Sequence, residues 1–247
     1  MIKTVFTDND NIVFKTAEPF PHIVFDNFFE NDVAKTLYSE IPELSSDVWF
    51  QYNNKIENKY TCNHWDRFPT TTYKVLSYLA SLEFTEKISK LTGIFPLVAD
   101  IGLHGGGWHV HTRGGLLNVH KDYSMHPKLK LERALNIIIY LTPDWQPSWG
   151  GSLGLWTEQE GQPDKLIRNV DCLFNRALLF DTRKNSWHGL PESIQCPEDI
   201  RRTSIALYYL TTPSNTTDPR ERALFAPSEW QRGDTELENF ILNRSKV

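Results

Sequence analysis

Hydrophobic and polar positions change their period twice along this chain of 247 residues. Residues 1–30 carry short apolar-alternating pieces, VFTDND and PHIVFDNFF, broken by Pro19 and Pro21, and a period of two predicts early strands. From Asn31 the period lengthens. Val33, Ala34, Leu37, Tyr38 and Ile41 recur at helical spacing, with Asn31 as the N-cap and Pro42 as the stop. No period is legible in the Asn-rich stretch 45–64. Residues 70–81 and 81–92 read as two further helices, the second with Leu82, Phe84, Ile88 and Leu91 on one side and Gly93 placed for a left-handed residue just past the end.

After residue 93 the texture is β throughout. IFPLVADIGLH, LLNVHKDYS, ALNIIIYL, SLGLW, RALLFDT and RTSIALYYLTT are short strand-type runs separated by Gly, Pro, Asn and Asp. A helical front at about 31–93 and a β core at about 94–212 predict an α+β fold, with helices packed on the outside of a sandwich or barrel. The extension 213–247 is polar and punctuated by proline, with a short helical signal at 236–242. The length suits a single domain spanning 1–247, and no internal repeat divides it.

Composition narrows the function. The hydrophobic share of 40%, with eight Trp, is that of a chain able to bury a core. A net charge of -5 argues against a general nucleic-acid binder, which needs a surplus of Lys and Arg on one surface. Cys62, Cys172 and Cys196 are odd in number and lack CxxC spacing, so they read as reduced thiols rather than a disulfide framework or zinc knuckle. Asp8 and Asp10 interrupt the amino terminus where a secretory apolar run would stand, and no later stretch reaches membrane-spanning length. These readings predict a cytoplasmic protein with no nucleic-acid or membrane partner; they leave its oligomeric state open.

The chemistry centres on LLNVHKDYS. In an extended strand, side chains two apart share a face, so His120 and Asp122 point the same way. An imidazole and a carboxylate can hold two neighbouring positions of a divalent transition metal, and a second histidine would complete a three-ligand face with open positions beside it. The candidate is His188, in SWHGLP beyond the RALLFDT strand. Further on, Arg202 opens RTSIALYYL, and its face continues through Ser204, Ala206 and Tyr208. A guanidinium buried beside such small residues is costly unless an anion meets it, and a bidentate carboxylate would do so.

HxD, a distal His and an Arg opening a strand of the form R-x-x-I-x-x-x-Y together resemble the iron(II)- and 2-oxoglutarate-dependent oxygenases, most closely their prolyl 4-hydroxylase-like branch. ALNIIIYLTPDWQPSWGGSLGLW resembles that branch's strand, loop and second strand, and PFPHIVFDNFF its amino-terminal start. The resemblance implies a double-stranded β-helix, a jelly-roll or cupin-like core behind packed N-terminal helices. It implies His120, Asp122 and His188 as ligands to Fe(II), and Arg202 and Tyr140 as contacts to the far carboxylate of 2-oxoglutarate. The His188–Arg202 interval is longer than the family's usual one, which leaves Arg201 as a rival to Arg202. The implied reaction consumes O2 and 2-oxoglutarate, with ascorbate as an accessory reductant, releases succinate and CO2, and hydroxylates an unactivated C–H bond.

The implied substrate is a prolyl residue of a peptide or protein. Two alternatives stand beside it: a small molecule such as a free amino acid, sugar or secondary metabolite, and a non-catalytic jelly-roll module that binds a structural metal or none. His109 and Arg113, in a Gly-rich stretch suited to a loop at the barrel mouth, are candidate substrate contacts, as are Tyr123 and Trp187 beside the ligands. Trp108 in the same stretch reads equally well as buried structure. The basic run Lys128, Lys130 and Arg133 reads as a solvated face.

Overall fold

The computed structural model describes residues 1–245. The chain starts with a helix, α1 (Asp8–Thr16), where alternation predicts a strand. The local chemistry decides it: the Asp10 carboxylate accepts from the backbone N–H and the hydroxyl of Thr7, at 2.7 and 2.9 Å, tying off the helix start. β1 (His22–Phe25) is the strand expected from PHIVF. In α2 (Asn31–Ser39) the N-cap is Glu30, so Asn31 is the first helical residue rather than the cap. The stretch without a legible period folds into a hairpin, β2 (Phe50–Asn53) and β3 (Glu57–Cys62), so the helical front is interrupted by strands that join the core sheet.

Helices α3 (Thr70–Leu79) and α4 (Leu82–Thr92) follow as expected, and Gly93 ends α4 with φ +76°. Pro69 cannot cap α3 with a side chain, and Glu40, at the end of α2, does so from a distance. Its carboxylate accepts from Thr71 N, Thr72 N and the Thr72 hydroxyl at 2.9, 2.7 and 2.8 Å.

The β core runs β4 (Val98–Ala99), β5 (Gly107–His111), β6 (Leu116–Leu117), β7 (His120–Lys121), β8 (Glu132–Tyr140), β9 (Leu153–Gln159), β10 (Gln162–Val170), β11 (Ala177–Asp181), β12 (Trp187–Gly189), β13 (Arg202–Thr211) and β14 (Leu224–Phe225), and α5 (Thr235–Ser245) closes the described chain. Among the described residues, two antiparallel sheets form. The larger has the order β1-β11-β8-β13-β5-β3-β2, with β4 beside β13 and β6 beside β3; the smaller is β10-β9-β12-β7-β14.

Period-two alternation builds both faces of the large sheet. Leu135, Ile137 and Ile139 of β8, with Ile205, Leu207 and Tyr209 of β13, pack against Leu37, Val75, Leu76, Phe84 and Ile88 of the helices. Each such fully buried aliphatic side chain stabilises the fold by about 1.5–3 kcal/mol. The opposite face, through Tyr140, Leu178 and Phe180, meets Leu153, Leu155 and Val170 of the small sheet. Where the two sheets part, a cavity of about 360 Å³ opens between them.

Two further expectations change. The Gly-rich stretch around Trp108 is not a mouth loop: β5 is an inner strand paired on both sides, and Trp108 is buried against Trp49 and Phe68. Gly107 permits this, with φ +85° and a backbone approach that would place a Cβ 2.1 Å from Cys62 O. The extension after residue 212 is also part of the core, because β14 pairs with β7.

Candidate metal centre

The LLNVHKDYS run is extended but broken: Asn118 and Val119 separate β6 from β7, and Asp122 follows the last strand residue. The carboxy-terminal segment holds it in place. Asn118 Nδ2 donates to Ala226 O and Gln231 Oε1 at 3.1 and 2.6 Å, Ala226 N donates to Val119 O, and Arg220 Nη1 donates to Asp122 O at 2.8 Å. The Phe225 ring stacks on His120 at 5.0 Å. On the other side, β12 places His188 directly across from His120.

His120, Asp122 and His188 are all buried, and one donor atom from each lies within 4.8 Å of the others. His120 Nδ1–H donates to Asn118 O at 2.9 Å and His188 Nδ1–H to Ser186 O at 2.8 Å. Those bonds leave both Nε2 lone pairs for the centre. His120 Nε2 is 3.8 Å from Asp122 Oδ1, and His188 Nε2 is 3.9 Å from Asp122 Oδ2. Burial, with His188 beside it, pushes the His120 pKa down to about 3, so the imidazole is neutral. Burial alone would raise the Asp122 pKa, but its neighbours His188, Arg133 and His120 and the Tyr208 hydroxyl outweigh it and hold the carboxyl below its ordinary value. Neutral imidazole and ionised carboxylate are the metal-binding forms.

The fit of a metal and a dicarboxylic acid can be tested on buried polar atoms that lack a protein partner. Asp122 Oδ2 has none, although it faces His188. Further in, Arg202 is buried, its Nε donates to Gly151 O at 2.6 Å, and no carboxylate among the described residues lies within ion-pair distance. Beside it, the Tyr140 hydroxyl and both ring nitrogens of His111 are buried without hydrogen-bond partners among the described residues. Such atoms are costly unless a ligand satisfies them. The donor set therefore fits a divalent iron, and the polar group around Arg202 fits a carboxylate.

The sequence candidates are placed unequally. Arg202, Ser204, Ala206 and Tyr208 share the cavity face, and Arg201 points outward to Glu43 at 2.7 Å. Tyr140 lies beneath Arg202, its ring 4.9 Å from Cζ, and burial pushes its pKa up to about 12. His109 and Tyr123 line the cavity. Arg113 does not; its side chain is 47% exposed and sits against Glu198 and Cys196 O. Trp187 is buried on the far side of its strand, where Nε1 donates to Glu158.

Arg133 is the largest departure from expectation. It is 1% exposed rather than solvated, its Cζ lies 3.4 Å from the centroids of both the Tyr123 and Tyr208 rings, and Nη1 is 3.8 Å from Asp122 Oδ1. A bulge hides this from the sequence. The β8–β13 register jumps from Leu135 to Arg133, so Ala134 takes no partner on β13 and Arg133 turns to the cavity against the strand's alternation.

Comparison with known proteins agrees with this geometry. Residues 106–210 match the family described as the 2OG-Fe(II) oxygenase superfamily. The matched segment includes His120, Asp122, His188 and Arg202. Prolyl 3-hydroxylase OGFOD1 of Mus musculus is 27% identical over 212 residues, covering 82% of this chain and 35% of its own length; the chain thus spans about a third of that relative. Among solved structures, a Trichoplax adhaerens prolyl hydroxylase in complex with a hypoxia inducible factor peptide fragment superposes with TM-score 0.56 at 18% identity, over 82% of this chain and 89% of that one. HygX from Streptomyces hygroscopicus, with nickel, 2-oxoglutarate and hygromycin B bound, gives 0.57 at 13% identity, over 84% and 88%. Residues 106–210 thus carry the superfamily match, and the solved prolyl hydroxylases share the fold of the chain. The donor set and the buried guanidinium are of the kind that Fe(II) and 2-oxoglutarate would need.

Proposed function

We propose that this chain hydroxylates a prolyl residue of a peptide or protein, with His120, Asp122 and His188 holding Fe(II), and Arg202 and Tyr140 receiving the far carboxylate of 2-oxoglutarate. The observation that carries the reading is the pairing of two unsatisfied sites in one cavity: a converging N, N, O donor set, and a buried guanidinium with no carboxylate partner among the described residues. The prolyl substrate is supported by the relative's name and by an open cavity large enough for a side chain beside the cosubstrate.

When bound, Fe(II) with 2-oxoglutarate and O2 supplies the oxidising power for C–H hydroxylation, with succinate and CO2 released. The protein's part is positional. Asn118 O and Ser186 O fix the imidazole tautomers, Arg133 and Tyr208 orient the Asp122 carboxylate, and Phe225 shields His120. Tyr208 O–H donates to Asp122 Oδ1 at 3.2 Å, which leaves the second oxygen for the metal.

We read residues 1–247 as one oxygenase domain, because the extension supplies part of the cavity wall. No described helix is long and apolar enough to cross a membrane. The three buried free cysteines support a cytoplasmic location, and the net charge of -5 supports a partner other than nucleic acid. The test is iron-dependent succinate release from 2-oxoglutarate, compared with His188→Ala and Arg202→Ala, followed by mass spectrometry for a +16 product on prolyl peptides. A wild-type chain that neither binds iron nor consumes 2-oxoglutarate overturns the reading.

A further inference from the structure

The cavity continues past the metal centre to a second charged group. On β3, period-two alternation turns Glu57, Lys59 and Thr61 onto the cavity face. The Lys59 side chain is 11% exposed, with Nζ 3.5 Å from Glu57 Oε1 and 5.3 Å from the Tyr52 ring centroid. Glu57 is itself buried and already engaged, since its Oε2 accepts from Arg244 Nη2 of α5 at 2.5 Å. One carboxylate thus serves two cations, and the shorter contact goes to Arg244. Among the described residues, no hydrogen bond from the Lys59 ammonium is present.

Charge balance isolates the same residue. Among the described residues, Lys59, Arg133, Arg202 and Arg244 face the cavity against only Glu57 and Asp122. On the reading above, Fe(II) is balanced by Asp122 and one carboxylate of 2-oxoglutarate, Arg202 by the other, and Arg244 by Glu57. Arg133 is enclosed by two tyrosine rings and donates to His104 O at 2.5 Å. Lys59 has only its longer share of the Glu57 carboxylate and one ring at 5.3 Å, so its largely buried ammonium is the least satisfied of the four cations. It stands on β3, separated from Arg202 on β13 by β5, so about 10 Å of sheet lies between their strands. A ligand spanning that distance is larger than the carboxylate Arg202 holds.

We propose that Lys59 anchors a carboxylate of the substrate, so that the chain takes a prolyl peptide segment carrying an Asp or Glu side chain near the hydroxylated residue. The proposal rests on the hydroxylase reading and deepens it. Synthetic prolyl peptides in Asp/Asn and Glu/Gln pairs, scanned over the flanking positions, are titrated against the full chain with Mn(II) and 2-oxoglutarate in the absence of oxygen. They are then scored for the +16 product with Fe(II) and air. A charge-assisted contact of this kind is worth about tenfold in affinity, so the acidic member of a pair should bind about that much better at one position. Lys59→Met should abolish the preference, Lys59→Arg should keep it, and Lys59→Glu should transfer it to a Lys-bearing peptide. A wild type without acidic preference, a preference that survives Lys59→Met, or a Lys59→Met loss confined to 2-oxoglutarate affinity overturns the proposal. Discrimination in binding without succinate formation sinks the hydroxylase reading and leaves the anion site standing; turnover without discrimination does the reverse.

Discussion

Arg202→Met separates the anion-binding role of that residue from a structural one. The wild-type guanidinium is buried with one backbone acceptor and no carboxylate in reach among the described residues. Two charge-assisted hydrogen bonds from a bound carboxylate contribute about 1.5–3 kcal/mol each, so removing them weakens 2-oxoglutarate binding by at least about 10²-fold. Linkage turns this into a thermal readout. At about 100 times its Kd, a ligand stabilises the folded state by about 2.7 kcal/mol, and a chain of 247 residues gains roughly 2–4 °C per kcal/mol. With Mn(II) present throughout, wild type should gain roughly 5 °C or more on adding 2-oxoglutarate, and Arg202→Met at the same concentration about 1 °C. Without 2-oxoglutarate the variant should match wild type or exceed it, because an uncompensated buried charge has been replaced by an apolar side chain. A variant that keeps the full ligand-induced shift, or a wild type that shows none, refutes the assignment.

Three other outcomes follow from the packing. Glu40→Ala should cost about 1 kcal/mol at pH 7 in chemical denaturation, as loss of a helix cap does. Burial would raise the Glu40 pKa, but the Thr71 and Thr72 hydrogen bonds lower it below 4.5. The contribution is therefore present above 4.5 and lost as pH falls through the folded value, so the gap between wild type and variant should close in acid. Trp108→Ala should cost about 3–5 kcal/mol, whereas Arg113→Ala, on an exposed side chain, should stay within about 0.5 kcal/mol; the reverse order in thermal melts would restore the mouth-loop reading. Arg133→Met should raise the metal dissociation constant about tenfold or more by freeing Asp122, checked by competition with a chelator dye on protein whose circular dichroism is unchanged.

The legible parts of this fold are those where one physical period acts alone. Arg202, Ser204, Ala206 and Tyr208 could be assigned to one face because β13 is regular over ten residues. The HxD pair and Gly93 were legible for the same reason, each being a local rule of spacing or φ. What escaped depended on distant residues. The hairpin at 50–62 is polar because β2 is the sheet's edge strand and one face of the hairpin lines the cavity. Arg133 reaches the site only through a bulge that reverses alternation. Lys59, Phe225 and Arg244 enter it only because β3 and the carboxy-terminal segment flank the same opening, and no local pattern announces that topology. Glu40 looks like an ordinary helix-end acid until α3 is placed beside it.

The central claim is that His120, Asp122 and His188 hold one iron to which 2-oxoglutarate adds. Anaerobic visible absorption during titration with Fe(II) and then 2-oxoglutarate tests it most directly, because a keto acid chelated to iron gives a metal-to-ligand charge-transfer band that neither component shows alone. The account predicts a band saturating at one Fe(II) per chain in wild type and absent in His188→Ala and Asp122→Ala. A band of equal strength in either variant, or none in folded wild type, contradicts it.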